Sequence, residues 1–165
     1  MASITVPCPN NPGITKYKAE QYLTLFENAF LLQRLFPAGT NVLKEPKVLL
    51  IPPIRLLYRG LDDALGPLRE DLAAFLLRPA VDQLHYLKAT RGAKTPDFLI
   101  RHKGEKIVFE VGGAKKGRTQ FKGIVADRKI VLSDGARISE NRLPLHCLGF
   151  LRGIDTVVHR DGDTL

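Results

Sequence analysis

The alternation of apolar and polar residues divides the chain into amphipathic helices and short strands. Apolar residues recur at three- and four-residue spacing after Thr15, which predicts a helix that Thr15 caps and that ends at Pro37-Ala38-Gly39. Its apolar stripe is wider than one helix face, which indicates contact with more than one neighbour. A second helix is predicted from Pro67 to about Arg78, because proline suits the first position of a helix.

Short strands and turns account for most of the remaining chain. Runs of β-branched residues and leucine predict strands, and clusters of Gly, Pro and Asp predict the turns between them. The last apolar run fits either a helix or a strand. The other predicted segments are an extended arm at 1–13, a strand at 47–51, a short helix at 54–61, a polar turn at 62–66, strands at 83–89 and 129–132, a short helix at 119–122 and the apolar run at 143–151.

The stretch 95–113 predicts a β-hairpin that carries a carboxylate on each strand. A turn at Lys103-Gly104, where glycine accepts a positive φ, gives the same strand pairing for a two- or a four-residue loop. That pairing places Asp97 opposite Glu110, with Cβ atoms roughly 4.5 to 5.5 Å apart. Two like charges there destabilise the sheet unless a cation lies between them or one is protonated. A magnesium ion, which takes one or two carboxylates with water and phosphate oxygens, fits this arrangement.

Composition favours an intracellular globular protein with an anionic partner. The 25 Lys and Arg residues exceed the 17 Asp and Glu residues and give a net charge of +8, which attracts nucleic acid without fixing a fold. The two cysteines, Cys8 and Cys147, form no CxxC pair, and the histidines lack zinc-ligand spacing. No apolar run reaches the roughly 18 residues that a membrane span needs. These patterns predict a cytoplasmic protein without a membrane segment.

Three segments in order resemble the restriction-endonuclease-like PD-(D/E)XK fold. They are Glu70 on a helix, the Thr-Pro-Asp sequence ending at Asp97, and Phe-Glu-Val-Gly-Gly around Glu110. More narrowly, the chain resembles the C-terminal region of bacterial and archaeal AAA-type ATPases. The resemblance implies an α/β sandwich with a small mixed sheet flanked by helices and preceded by an N-terminal helical segment. Residues 1–61 would form an arm, a winged-helix remnant and a connector, and residues 62–165 the nuclease-like domain of unknown function.

The resemblance also implies a metal site. Asp97 and Glu110 would hold Mg²⁺ or Mn²⁺, and Glu70 would supply a helix carboxylate nearby. The pattern expects a lysine two residues after Glu110, but that position is Gly112, which has no side chain. A catalytic lysine would then have to come from the basic loop that follows. The candidates on that loop are Lys115, Lys116 and Lys122.

Two functional hypotheses follow from the resemblance. In the first, the chain is a non-catalytic, nuclease-like module that binds nucleic acid or regulates an AAA-type ATPase module. In the second, it is a Mg²⁺-dependent nuclease with a relocated lysine, so whether the chain is an enzyme stays open at this stage. ATP hydrolysis is not expected, because no GxxxxGK[ST] phosphate loop occurs. The candidates for nucleic-acid contacts are Lys115, Lys116, Arg118 and Lys122.

A third interpretation is purely structural. Asp97 and Glu110 could form salt bridges with Arg101, Lys106 or Lys94 and need no metal. Glu70 and Asp71, placed by this prediction in the first turn of a helix, would then interact favourably with the helix dipole. The wide apolar stripe of the N-terminal helix has two explanations of its own, a neighbouring segment or a homodimer partner.

Overall fold

The computed structural model describes residues 14–39, 46–88, 95–117 and 119–153, of which residues 152 and 153 are described by their backbone alone. The predicted arm at 1–13 and the residues Lys94 and Arg118 lie outside these ranges. Within them, no helix has both the length and the apolar character needed to cross a membrane. The α-helices are α1 (Lys16–Asn28), α2 (Pro52–Arg55) and α3 (Leu61–Leu77), and the strands are β1 (Leu32–Leu35), β2 (Lys47–Leu50), β3 (Gln83–Tyr86), β4 (Phe98–His102), β5 (Glu105–Gly112), β6 (Arg128–Ser133) and β7 (Arg142–Pro144).

The larger sheet is mixed and has the strand order β3-β4-β5-β6-β7. Strands β3, β4 and β5 are antiparallel neighbours, whereas β6 runs parallel to β5 and β7 parallel to β6. The connection between β5 and β6 carries the basic loop and a 3₁₀ helix at Thr119–Phe121. The predicted α/β class with a small mixed sheet is therefore confirmed, and β7 extends the predicted order by one strand.

Side-chain alternation along the strands builds a core on each face of the larger sheet. Phe98 and Ile100 of β4 belong to the larger cluster, which α3 covers with Ala73, Ala74 and Leu77. The intervening residue of β4 belongs to a smaller cluster on the other face, covered by the 3₁₀ helix. The members of this smaller cluster are Leu99, Val108, Phe121 and Val131.

The predicted first helix is too long. Helix α1 ends at Asn28 with Ala29 as its C-cap, and the next residue, Phe30, has a positive φ of 57°. The chain then enters β1, which pairs with β2 in a separate two-stranded antiparallel sheet. The guanidinium of Arg34 in β1 donates to Glu27 at 2.7 Å and to Glu20 at 3.1 Å, and these bonds fix the strand against the helix that the sequence pattern had extended.

The predictions around the second helix are wrong in several respects. Helix α3 begins at Leu61, so the residues predicted as a polar turn at 62–66 are helical and Pro67 lies inside the helix. The helix predicted at 54–61 is instead the single turn α2. Because α3 starts six residues before Pro67, Glu70 and Asp71 lie beyond its first turn, and the proposed interaction of their charges with the helix dipole is not available.

The remaining predicted segments agree more closely with the structure. Strands β3 and β6 and the 3₁₀ helix at Thr119–Phe121 fall within one to three residues of their predicted bounds. The apolar run at 143–151, for which the sequence fitted either a helix or a strand, contains both: the end of β7 and a 3₁₀ helix at Leu145–Gly153. Whether the chain divides into domains at residue 61 stays a prediction, although Leu35 of β1 and Leu49 of β2 join the core that lies under α3.

Candidate functional site

The hairpin of β4 and β5 places Asp97 beside Glu110. The two strands pair with Phe98 opposite Phe109, and residues 103 and 104 form the turn, which confirms the predicted register. Asp97 precedes β4 and its Oδ2 atom accepts a hydrogen bond from the backbone N–H of Val111 at 2.8 Å. That bond holds the Asp97 carboxylate across the end of β4, directly next to the strand position of Glu110.

Glu110 is a buried carboxylate in the middle of the sheet. Its exposed fraction is 0 %, and neither of its oxygens accepts a hydrogen bond of good geometry from the described residues. Burial raises the pKa of Glu110 to about 7, the nearby charges of Asp97 and Glu70 raise it as well, and the ammonium of Lys116 opposes the shift. Near neutral pH, any cation that reaches this carboxyl group therefore stabilises its ionised form.

The cation beside Glu110 is Lys116, from the basic loop. The Lys116 Nζ atom lies 2.5 Å from Glu110 Oε1. The aliphatic part of Lys116 crosses directly over Gly112: a Cβ atom at position 112 would lie 2.6 Å from Lys116 Cδ and 2.7 Å from Cγ. Glycine at position 112 therefore leaves room for this path of Lys116, because a side chain there would collide with the lysine unless the lysine moved.

A second lysine, Lys47 of β2 in the two-stranded sheet, lies close to Glu70. Lys47 Nζ lies 2.6 Å from Glu70 Oε2 and 5.6 Å from the centre of the Phe98 ring. Glu70 is close enough for its charge to raise the pKa of Asp97, which burial raises more strongly. Glu70, Asp97 and Glu110 thus share one electrostatic environment with two ammonium groups.

The residues present are compatible with a divalent metal ion bound partly by water or substrate. Among the described residues, no three His, Cys, Asp or Glu side chains form a group that could hold a metal on their own. Asp97 and Glu110 nevertheless supply two carboxylates, which is the usual protein share in magnesium sites that also use phosphate oxygens and water. A metal bound here would have two protein ligands, with Glu70 at the margin of the site.

The other predicted cations occupy different surroundings. Lys115 and Lys122 are exposed on the basic loop and beyond the 3₁₀ helix, where they can meet an anionic partner. The residue that pairs with Glu110 is Lys116, so a salt bridge from Arg101 or Lys106 is not the observed arrangement. Both of those residues lie toward the hairpin turn, where Arg101 is opposite Lys106. Arg118 and Lys94 lie outside the described residues.

Sequence reasoning missed two cations of this region, Lys47 and Arg142. Lys47 is the first residue of a strand predicted only for its apolar pattern, and its proximity to Glu70 depends on packing between distant segments. Arg142 begins β7 and donates to backbone carbonyls of the basic loop. No local spacing could have indicated either contact, because each joins elements more than twenty residues apart.

The architecture and the site define a mixed α/β protein with a partly buried group of three acidic residues near the end of a hairpin. No protein-family model matches the sequence, and neither the curated proteins nor the solved structures compared with it give a significant match. The function is therefore argued from the geometry of the cluster.

Proposed function

We propose that this chain is a divalent-metal-dependent nuclease in which Lys116 takes the role of the lysine that Gly112 cannot supply. The observation that carries the proposal is the path of Lys116 over Gly112, which brings an ammonium group to within 2.5 Å of Glu110. A metal held by Asp97 and Glu110 would lower the pKa of a bound water and offset charge on a phosphodiester.

The chain's own residues have separate tasks in this proposal. Asp97 is oriented by the Val111 N–H, so one of its oxygens is fixed before any ligand arrives. Glu110, held in apolar surroundings, would serve as the second carboxylate ligand of such a metal. The Lys116 ammonium, which the loop holds beside Glu110, would be close enough to stabilise negative charge that develops on the phosphate.

Cleavage assays with single- and double-stranded DNA in Mg²⁺ or Mn²⁺ test the proposal. We expect Lys116→Ala to lower kcat by about 10² to 10³, the loss typical of removing one charge-stabilising donor. Lys115→Ala is the matched control, since the adjacent exposed lysine leaves the site intact. Asp97→Ala and Glu110→Ala should abolish cleavage, and activity that survives both substitutions would come from another site or a contaminant.

A relocation experiment tests the role of Lys116 more directly. Gly112→Lys in a Lys116→Ala background removes the two closest atoms at position 112, Lys116 Cδ and Cγ, and places a lysine on the face of β5 that Glu110 occupies. We expect this double variant to cleave faster than Lys116→Ala alone. Gly112→Lys in the wild-type background should be inactive or destabilised, because both side chains then compete for one space. Equal activity of Lys116→Ala and the double variant would contradict the assigned role.

A second candidate function is nucleic-acid binding without catalysis, or regulation of an AAA-type ATPase module. It is favoured by the pairing of Glu70 with Lys47 and of Glu110 with Lys116, which offsets two of the three acidic charges without a metal. The exposed apolar residues of α1, where no residue is buried, would serve as the contact for such a module or for a second copy of the chain. Binding of DNA without cleavage, at any Mn²⁺ concentration tested, would favour this candidate.

A further inference from the structure

A single arginine connects the end of the larger sheet to the loop that carries Lys116. Arg142 begins β7, the edge strand that pairs with β6. Its Nη1 atom donates to the hydroxyl of Ser133, the last residue of β6, at 2.7 Å. Ser133 is only 2 % exposed, so one side of the guanidinium is fixed to the rigid part of the sheet.

The same guanidinium binds the backbone of the basic loop at two places. Its Nη1 atom donates to the carbonyl of Ala114 at 3.3 Å, and its Nη2 atom donates to the carbonyl of Lys116 at 2.5 Å. The loop adds one turn of its own, in which the Lys116 N–H donates to the Gly113 carbonyl at 2.9 Å. These bonds fix the backbone on both sides of Lys115 and therefore the point from which the Lys116 side chain starts.

We propose that Arg142 is a positioning residue that holds the basic loop so that the Lys116 ammonium stays at Glu110. The expected effect of Arg142 on kcat rests on the proposed nuclease function. The expected effect on the position of the loop does not. Arginine suits the task because its planar group presents several donors in a fixed arrangement and can span the strand end and two loop carbonyls at once. The glycines at positions 113 and 117 lose more conformational freedom than other residues when the loop is fixed, so bonds from Arg142 help to hold Lys116 in position.

Three variants separate positioning of the loop from support of the sheet. Arg142→Gln removes the charged group, and Arg142→Lys keeps the charge but lacks the fork needed to reach both carbonyls. Ser133→Ala removes the bond to the strand end while leaving both loop carbonyls available to Arg142. Arg128→Gln, at an exposed arginine near the opposite end of β6, is the control for loss of an arginine.

The first measurement is independent of catalysis. Lysine acylation of the folded protein, followed by mass spectrometry, gives the labelling rate of Lys116 relative to the exposed Lys115. In the wild type we expect slow labelling of Lys116, whose side chain is 33 % exposed and paired with Glu110. Arg142→Gln should raise the ratio several-fold, Ser133→Ala, which loses only the anchor of the guanidinium on the strand end, should raise it less, and Arg128→Gln should leave it near the wild-type value. An unchanged ratio in Arg142→Gln, with the fold intact by circular dichroism, would overturn the proposal.

The second measurement is the division of the kinetic effect between kcat and KM. Misplacing a catalytic group through loss of its support typically costs about 10- to 100-fold in activity, so we expect Arg142→Gln to lower kcat by that factor with KM little changed. Arg142→Lys should recover part of the loss. Equal losses in Arg128→Gln and Arg142→Gln would show a general effect on the sheet and reject positioning.

The two proposals fail in distinguishable ways. If the wild type cleaves no nucleic acid but Lys116 is labelled faster in Arg142→Gln, the nuclease function is rejected. The support of the loop by Arg142 is then retained. An active wild type whose Lys116 labelling and kcat are both insensitive to Arg142→Gln rejects the positioning role and retains the nuclease function.

Discussion

At the scale of single residues, the site depends on a carboxyl group kept in surroundings that disfavour its charge. Glu110 lies among the apolar neighbours of β5, with Val108 and Val131 fully buried on the same side of the sheet. Its only close cation among the described residues is the ammonium of a lysine that itself remains one-third exposed. A flexible ammonium on a buried acid is a replaceable partner, which is the property a ligand site requires.

This environment predicts an unusual dependence of stability on pH. The pKa of Glu110 is raised from 4.5 to about 7 in the folded protein, so the folded state binds more protons than the unfolded state between these values. Stability from this group is therefore fully present below pH 4.5 and is lost as the pH rises toward and past 7. The full loss is about 3 kcal/mol, from about 1.4 kcal/mol per pKa unit.

Urea unfolding of the wild type and of Glu110→Gln at pH 5 and pH 8, without divalent metal, measures the effect. We expect the stability of Glu110→Gln relative to the wild type to increase from pH 5 to pH 8 by roughly that amount, since glutamine has no charge to lose. Parallel pH profiles of the two proteins would contradict the raised pKa. Added Mn²⁺ should restore wild-type stability at pH 8, because a bound cation favours the ionised carboxylate.

At the scale of elements, Asp71 joins helix α3 to the two-stranded sheet of β1 and β2 and to α2. This carboxylate has an exposed fraction of 0 % and accepts the backbone N–H of Leu50 at 3.1 Å. It also forms a two-bond ion pair with Arg55, whose Nη2 donates to Oδ1 at 2.9 Å. Since Lys47 belongs to the same strand as Leu50, the bond at Asp71 helps to fix the strand that brings a second ammonium group to Glu70.

Asp71→Ala should therefore destabilise the fold strongly. Removing one partner of a buried ion pair typically costs about 3 to 5 kcal/mol, because the other charge stays buried and unpaired. Asp63→Ala, at an exposed acid in the first turn of the same helix, should cost less than about 1 kcal/mol. Thermal or urea unfolding of both variants gives the comparison. Similar losses in the two would mean that the Asp71 ion pair contributes little.

The elements that the sequence predicted well are those whose signals are local. The hairpin register followed from the turn at Lys103-Gly104 and from period-two alternation, and it placed Asp97 beside Glu110 correctly. The N-terminal helix was extended too far because apolar residues continue past Asn28 as far as Phe36, and Leu32 and Leu35, both buried in β1, were interpreted as a widening of the helical stripe. The choice of Lys116 over Lys115 and Lys122 depended on the conformation of a loop held by distant Arg142, and no residue pattern carries that information.

At the scale of the whole molecule, a net positive charge is combined with a group of three acidic residues. The chain has a net charge of +8, while Glu70, Asp97 and Glu110 gather at one end of the hairpin. A polyanion would be attracted by the exposed lysines and repelled by the three carboxylates unless a cation offsets them. The arrangement predicts that divalent metal and nucleic acid bind cooperatively.

Salt dependence tests which cations contact phosphates. For duplex DNA, log Kd should change with log salt by about 0.9 per phosphate contacted, and Lys115→Ala combined with Lys122→Ala should reduce the slope by about 2. Arg128→Ala, remote from the acidic cluster on β6, should leave it unchanged. Fluorescence anisotropy at several salt concentrations, in Ca²⁺ to avoid cleavage, gives the slopes. Equal slopes in the double variant and the wild type would exclude the basic loop as a phosphate contact.

The lysine that crosses Gly112 has a consequence for recognising similar sites in other sequences. A search for an acidic residue followed two positions later by lysine passes over this chain, although an ammonium group reaches the carboxylate. The corresponding pattern here is an acid, a glycine two positions later and a lysine six positions after the acid. The glycine has no side chain, and the lysine side chain therefore crosses over it to reach the acid. Sequences with that spacing, at the end of a strand paired in a hairpin, are candidates for the same arrangement even when the usual motif is missing.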